Sequence, residues 1–133
     1  MPQIYIPIPE AVQLVDPNSG EPLQGENQII DADFIVRKVL DNPKWNDSFK
    51  LMEAAMAIRK SFEDRDNGVA IMAEEDHRAF KEALENPQML ILLPDGKSIV
   101  QRGFGLHPRL SPQLVPLIKP MISATSEDPR NKK

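Results

Sequence analysis

Glu74, Glu75, Asp76 and His77 are consecutive ionisable residues of the types that bind metals or move protons. Metal binding and acid–base catalysis need such groups to converge on one point, at distances the metal fixes. Neighbouring helical positions point about 100° apart, so four in a row splay rather than converge. They suit the opening turn of a helix, where carboxylates oppose the positive end of the macrodipole. Asp64, Asp66, Asn67 and Gly68 carry a hint of a calcium loop. Counting from Asp64, Glu75 takes the twelfth place, but the glycine arrives one place early and Val69, Ala70, Ile71 and Met72 are too apolar for ligand positions. A helix-ending turn is the better reading, because Asn-Gly tolerates positive φ at both residues. Gly103-Phe104-Gly105 lacks the third glycine of a dinucleotide fingerprint, and Pro108 stands where its helix would begin. Arg102, Phe104, His107 and Arg109 form a short basic run that could contact an anion or stack on a base of a nucleic acid. With only His77 and His107 in the chain, no Ser–His–Asp arrangement can be singled out. The expectation is therefore no catalytic residue, no metal ligand, no cofactor and no enzyme activity.

Totals narrow the classes further. At 133 residues one domain with a modest core is expected. Apolar residues make up 41% and charged residues 27%, the balance of a folded globular chain. A net charge of -4 disfavours nonspecific nucleic-acid binding, which relies on Lys and Arg neutralising phosphates. Cysteine is absent, so disulfides and Cys-ligated zinc are excluded. No apolar run of about 18 residues is present, so no membrane span is expected. No basic stretch followed by an apolar block marks a signal peptide, which makes cytoplasmic synthesis without secretion the expectation.

Prolines organise the chain. All 13 lie at or before Pro43, or at or after Pro87, and the window between admits helix. There the sequence predicts an antiparallel helical hairpin over 47–86. Asp47 or Ser48 caps the first helix. Phe49, Met52 and Met56, with Leu51, Ala55, Ile58 and Phe62, give it one broad apolar stripe. Val69–Met72 is an apolar entry to the second helix, whose inner face holds His77, Phe80 and Leu84. Ahead of this hairpin, Asp31 or Asp33 caps a short helix with Phe34, Ile35, Val36, Val39 and Leu40, and Trp45 plugs the junction. Val12 and Leu14 alternate as a strand would, with a turn at Asp16-Pro17 to Gly20 and a second arm near Pro22. Gln24–Asn27 reads as a polar link. Met89–Leu93, Pro94-Asp95-Gly96 and Ile99-Val100 read as a second β-hairpin.

The ends are apolar. Ile4, Tyr5, Ile6 and Ile8 sit among prolines that forbid helix. That arm either packs on its own domain as an edge strand or adds a strand to a neighbouring subunit. Leu114, Leu117, Ile118 and Met121 lie in a segment where Pro116 and Pro120 give either a kinked helix or an extended lid. These eight residues are the predicted interface.

Leu14-Val15-Asp16-Pro17 through Gly20-Glu21-Pro22-Leu23, followed by a short helix, a helical pair and Leu110-Ser-Pro-Gln-Leu114, resembles small proteins of tailed-phage and prophage gene clusters. The resemblance spans roughly 12–124 in pattern. It implies a virion component, an assembly factor or a phage-encoded modulator, and carries no catalytic residue across. The expected fold is α+β and mainly helical: a central antiparallel helical hairpin, one or two short β-hairpins, and extended apolar N- and C-terminal segments. The expected division is an arm over 1–10, a single domain over 11–124 and a polar flexible tail over 125–133. The expected function is non-enzymatic protein–protein association as a phage structural or assembly subunit, homo-oligomeric or joined to other virion proteins. An alternative is an inhibitor that binds a host protein through acidic helix 74–85. A nucleic-acid accessory protein ranks below both.

Overall fold

The Asn67–Gly68 turn decides the architecture. Both residues have positive φ, 52° and 74°, and Asp66 and Val69 exchange backbone bonds at 3.0 Å across them. A tight turn of this kind launches a strand, and Val69–Ala73 is a strand, not an entry to a helix. In the computed structural model, which describes residues 2–25 and 28–131, it pairs antiparallel with the N-terminal arm, Gln3–Pro7, from Gln3 opposite Ala73 to Pro7 opposite Val69. The predicted central helical hairpin is therefore absent. A strand separates its two helices, and its partner comes from the far N-terminal side of the sequence.

In chain order the elements are β1 (Gln3–Pro7), β2 (Val12–Gln13), β3 (Ile29–Ile30), α1 (Ala32–Leu40), α2 (Phe49–Glu63), β4 (Val69–Ala73), α3 (Glu74–Glu85), β5 (Gln88–Leu92), β6 (Ser98–Arg102) and α4 (Val115–Ile122). Short 3₁₀ turns occupy Pro43–Asn46, Ser111–Leu114 and Pro129–Asn131. Among the described residues the fold is α+β, with four α-helices and three two-stranded antiparallel sheets, β1–β4, β2–β3 and β5–β6. The predicted link over 24–27 falls partly outside the described residues, as do Met1 and positions 132 and 133 of the predicted tail.

The helices start where their side chains supply caps. Asp31 accepts from the Phe34 amide at 2.8 Å, and Ser48 from the Leu51 amide at 3.1 Å, each satisfying an orphan donor of the first turn. No side chain caps α3; its first turn carries Glu74, Glu75 and Asp76. The apolar stripe expected on α2 is split. Ala54, Ile58 and Phe62 face the core, while Phe49, Met52 and Met56 face solvent.

β1 is inserted, not free. Ile4 and Ile6 are buried between β4 and the helices. Its other edge is taken as well, since the Tyr5 amide donates to the Thr125 carbonyl at 2.9 Å. Pro7 sits on that same outward edge, where it forfeits no bond to β4. Arg130 forms an ion pair with Asp66 at 3.2 Å, so much of the predicted tail lies against the domain. The apolar C-terminal segment is helical, not extended. Pro112 stands in the opening of a 3₁₀ turn and Pro116 in the first turn of α4, where an amide is not needed; only Pro120 lies inside the helix. The prolines recur every fourth residue and share one side. Leu114, Leu117 and Met121 point the other way and are fully buried. Gln113 clasps the Val15 backbone from both sides, accepting from its amide at 2.8 Å and donating to its carbonyl at 2.9 Å.

The predicted first hairpin forms as a short one, with the Asp16 amide donating to the Glu21 carbonyl at 2.8 Å and the Leu23 amide to the Leu14 carbonyl at 3.0 Å, and a further strand joins beyond it. β2 pairs with β3, while Val15 and Pro22 make only an isolated bridge. Trp45 is buried and donates its indole N–H to the Val39 carbonyl at 2.9 Å, locking the junction after α1. Phe62 of α2 and Phe80 of α3 meet at 5.5 Å between ring centroids.

Ile6 lies at the centre of this arrangement, so Ile6→Ala is expected to cost about 2–5 kcal/mol of stability. Urea unfolding followed by circular dichroism reads the loss. A loss below about 1 kcal/mol would mean that the arm is not part of the core.

Candidate functional site

Among the described residues most of the large exposed apolar side chains fall into two groups, one on a hairpin and one on a helix, with Ile29 on β3 and Val115 on α4 standing apart. Pro94, Asp95 and Gly96 make the hairpin turn. The Gly96 amide donates to the Leu93 carbonyl at 3.0 Å, the Leu93 amide to the Lys97 carbonyl at 2.7 Å, and Gly96 takes a φ of 87°. A three-residue loop with a left-handed glycine is a common hairpin closure. β5 and β6 then pair from Leu92 opposite Ser98 to Gln88 opposite Arg102. Alternation puts Met89 on the inner face, buried, with its methyl 3.3 Å from where a side chain on Gly105 would sit. Leu90, Leu92 and Val100 share the opposite face and are exposed, Leu92 by 77% and Val100 by 53%. Ile99 is exposed on the inner-face register. All of β6 is solvent-accessible. The second group is Phe49, Met52 and Met56, at spacings of three and four on the outer side of α2, with Phe49 73% and Met56 75% exposed.

A groove between α1 and α2 has an apolar floor of Val36, Leu40 and Phe62 and a charged rim. Arg65 bridges it, donating to both carboxylate oxygens of Asp33 at 2.6 and 3.1 Å. That hydrogen bonding holds the Asp33 carboxyl below the usual carboxylate range, against partial burial that pushes it up. Arg59 pairs with Glu63 at 3.2 Å on the same rim. Much of the rim charge is thus matched within the groove, which makes it a structural seam.

The residues singled out in the sequence are placed as follows. Glu74, Glu75 and Asp76 occupy the first turn of α3 and splay. Glu74 faces Arg78 at 3.4 Å, Glu75 faces Lys50 at 3.9 Å, and Glu82 further along faces Lys44 at 4.0 Å. Asp76 is raised above its ordinary pKa, mainly by burial and then by Glu75. His77 turns inward, its Nε2 2.9 Å from the Met121 carbonyl. Among the described residues no group of three or more His, Asp or Glu side chains is placed to hold a metal ion.

Phe104 is buried in the core, so it is not available to stack on a base. Arg102, His107 and Arg109 are exposed. Arg109 is drawn to Asn18, donating to its Oδ1 at 2.9 Å, and its amide donates to His107 Nδ1 at 3.1 Å. The predicted interface residues are also relocated. Ile4, Ile6, Leu114, Leu117 and Met121 are buried in their own core, and Tyr5, Ile8 and Ile118 are half-buried. The reason is that β4 and the inner faces of α2 and α3 needed a cover, and the two apolar end segments supply it. What the sequence reading missed is the exposure of the hairpin and of the α2 stripe. A signal was present: Phe49, Met52 and Met56 lie on the far side of the helix from Ala54, Ile58 and Phe62, so one helix carried two apolar faces.

Comparison with protein-family models, with curated proteins and with solved structures finds no match.

The Asp33–Arg65 pair gives a pH signature. A carboxyl whose folded pKa is depressed adds stability above the unfolded value near pH 4 and loses it as pH falls through the folded value. Both side chains are more than one-third exposed, so Asp33→Asn is expected to cost under about 1 kcal/mol at pH 7. That difference from the unaltered protein should shrink below pH ~4. Urea titrations at neutral and acid pH check it, and an unchanged difference would contradict the assigned pairing.

Proposed function

We propose that this protein is a non-enzymatic association subunit, whose contacts to other proteins run through the β5–β6 hairpin and the outer stripe of α2. The observation that carries it is the clustering of exposed apolar side chains. Leu90, Leu92 and Val100 share one hairpin face, and Phe49, Met52 and Met56 share one helix face. Single exposed apolar residues are ordinary on a folded surface, whereas contiguous ones mark contact sites. Methionine and phenylalanine are favoured in interfaces, and unbranched methionine adapts to its partner. In the tailed-phage setting that the layout resembles, such a subunit would be a virion or assembly component.

Photoreactive residues placed singly at positions 56 and 92, with a control at the exposed Lys81, test this in the cell that makes the protein. Discrete protein adducts from 56 or 92, and none from 81, are expected. Equal labelling at all three positions would reject the proposal.

A further inference from the structure

We propose, building on that association reading, that β6 pairs antiparallel with β6 of a second copy of this chain about a two-fold axis at Val100, joining two hairpins into one four-stranded sheet. The backbone sets this up. The Leu93 amide donates to the Lys97 carbonyl at 2.7 Å at one end of the hairpin, and the Gly103 amide donates to the Pro87 carbonyl at 2.8 Å at the other. Antiparallel ladders alternate, so Ile91 with Ile99 and Met89 with Gln101 bond inward. Ser98, Val100 and Arg102 therefore aim their amides and carbonyls away from β5.

Among the described residues β5–β6 is a two-stranded sheet with no further strand beside β6. Isolated hairpins of this size are marginally stable, and an open apolar edge is a template for another strand. The usual protections are missing within β6. Ser98–Arg102 contains no proline, its side chains are all exposed, and Arg102 at its end is its sole charge. The outer edge of β5 is different: the Leu90 amide donates to the Asp41 carbonyl at 3.1 Å, which holds that edge against the end of α1. With one edge engaged and one open, pairing closes at two copies and does not propagate.

The strand also complements itself. Centred on Val100, antiparallel pairing sets Ser98 opposite Arg102, Ile99 opposite Gln101 and Val100 opposite its own copy. Neither Lys97 nor Arg102 then faces a like charge, which would be unfavourable across strands. On the outer face Leu90 and Val100 of one copy continue into Val100 and Leu90 of the other, giving an unbroken apolar row across four strands. A shift of the centre by two residues in either direction shortens the overlap and breaks that row. An interface of two short strands belongs at the small end of the range, where association is weak and depends on concentration.

Sedimentation equilibrium of the purified full chain tests this, with dimerisation expected in the micromolar range. Val100→Pro removes an outward amide without touching the β5 ladder; it is expected to weaken the dimer at least about tenfold while leaving the thermal melt of the monomer unchanged. Val100→Lys, which keeps the amide and adds charge to the edge, should do the same. The chain lacks cysteine, so Val100→Cys provides a clean geometric probe. Paired Cα atoms at a hydrogen-bonded position lie about 5.5 Å apart, within disulfide reach. Mild oxidation should link Val100→Cys into covalent dimers and leave Ser98→Cys, displaced from the axis, monomeric. A dimer that survives Val100→Pro and Val100→Lys, or equal cross-linking at 98 and 100, overturns the proposal. So does a monomer at every concentration. Adducts to a different protein from position 92 would then keep the association reading and remove only its self-partner.

Discussion

The pairing of β1 with β4 is the constraint from which the rest follows. β4 emerges from the Asn67–Gly68 turn with one edge in need of partners. β1 supplies them and drives Ile4 and Ile6 into the space bounded by α2, α3 and α4. Burying side chains of this size contributes about 1.5–3 kcal/mol each. β1 also has a second edge, and Thr125 bonds to it. One strand therefore fastens both end regions to the middle of the chain. The side chain of His77 on α3, bonded to the Met121 carbonyl, ties α4 into the same assembly. Among the described residues no buried side-chain nitrogen or oxygen is left without a partner.

This constraint moves the search for contact surfaces. Apolar residues near chain ends invite a docking role, yet Leu114, Leu117 and Met121 are consumed in closing the core. Apart from Ile29 and Val115, the large apolar side chains left over belong to elements central in the sequence. α2 packs by one side and leaves Phe49, Met52 and Met56 outside; the β5–β6 hairpin stands off from the core on Met89 and exposes its other face. Intramolecular demand was met first, and what remains outside after it is the informative part.

Local chemistry was legible in the sequence. The helix starts, narrowed to Asp31 or Asp33 and to Asp47 or Ser48, the stop at Asn86-Pro87, the carboxylates opening α3 and the Pro94-Asp95-Gly96 turn all act within a few residues, so neighbours suffice to read them. Long-range partnership was not. Prolines mark Ile4–Ile8 as extended without saying which edge it joins, and Val69–Met72 is a short apolar run to which periodicity alone gives no element type. Each finds its partner in the other, far away in the sequence. The same blindness found the arm at Pro22, which bridges Val15, but not Ile29 and Ile30, which pair with Val12 and Gln13. Phe104 shows it for the candidate site: flanked by glycines and near Arg102 and Arg109, it reads as a loop aromatic on offer to a ligand, and only the fold reveals that it is an anchor. For the site itself, composition located the apolar residues, but which of them lie outside depends on what covers the core.

The clasp of Gln113 on Val15 joins residues 98 positions apart, and β1 likewise depends on Thr125. During translation the arm leaves the ribosome well before its covers do. A nascent chain that has reached β6 already carries helices and hairpins, yet has no α4 to shut the core over Ile4 and Ile6. Because domains fold as units once their parts have emerged, native closure here is a late event, and the unfinished chain is the species most exposed to chaperones and to aggregation.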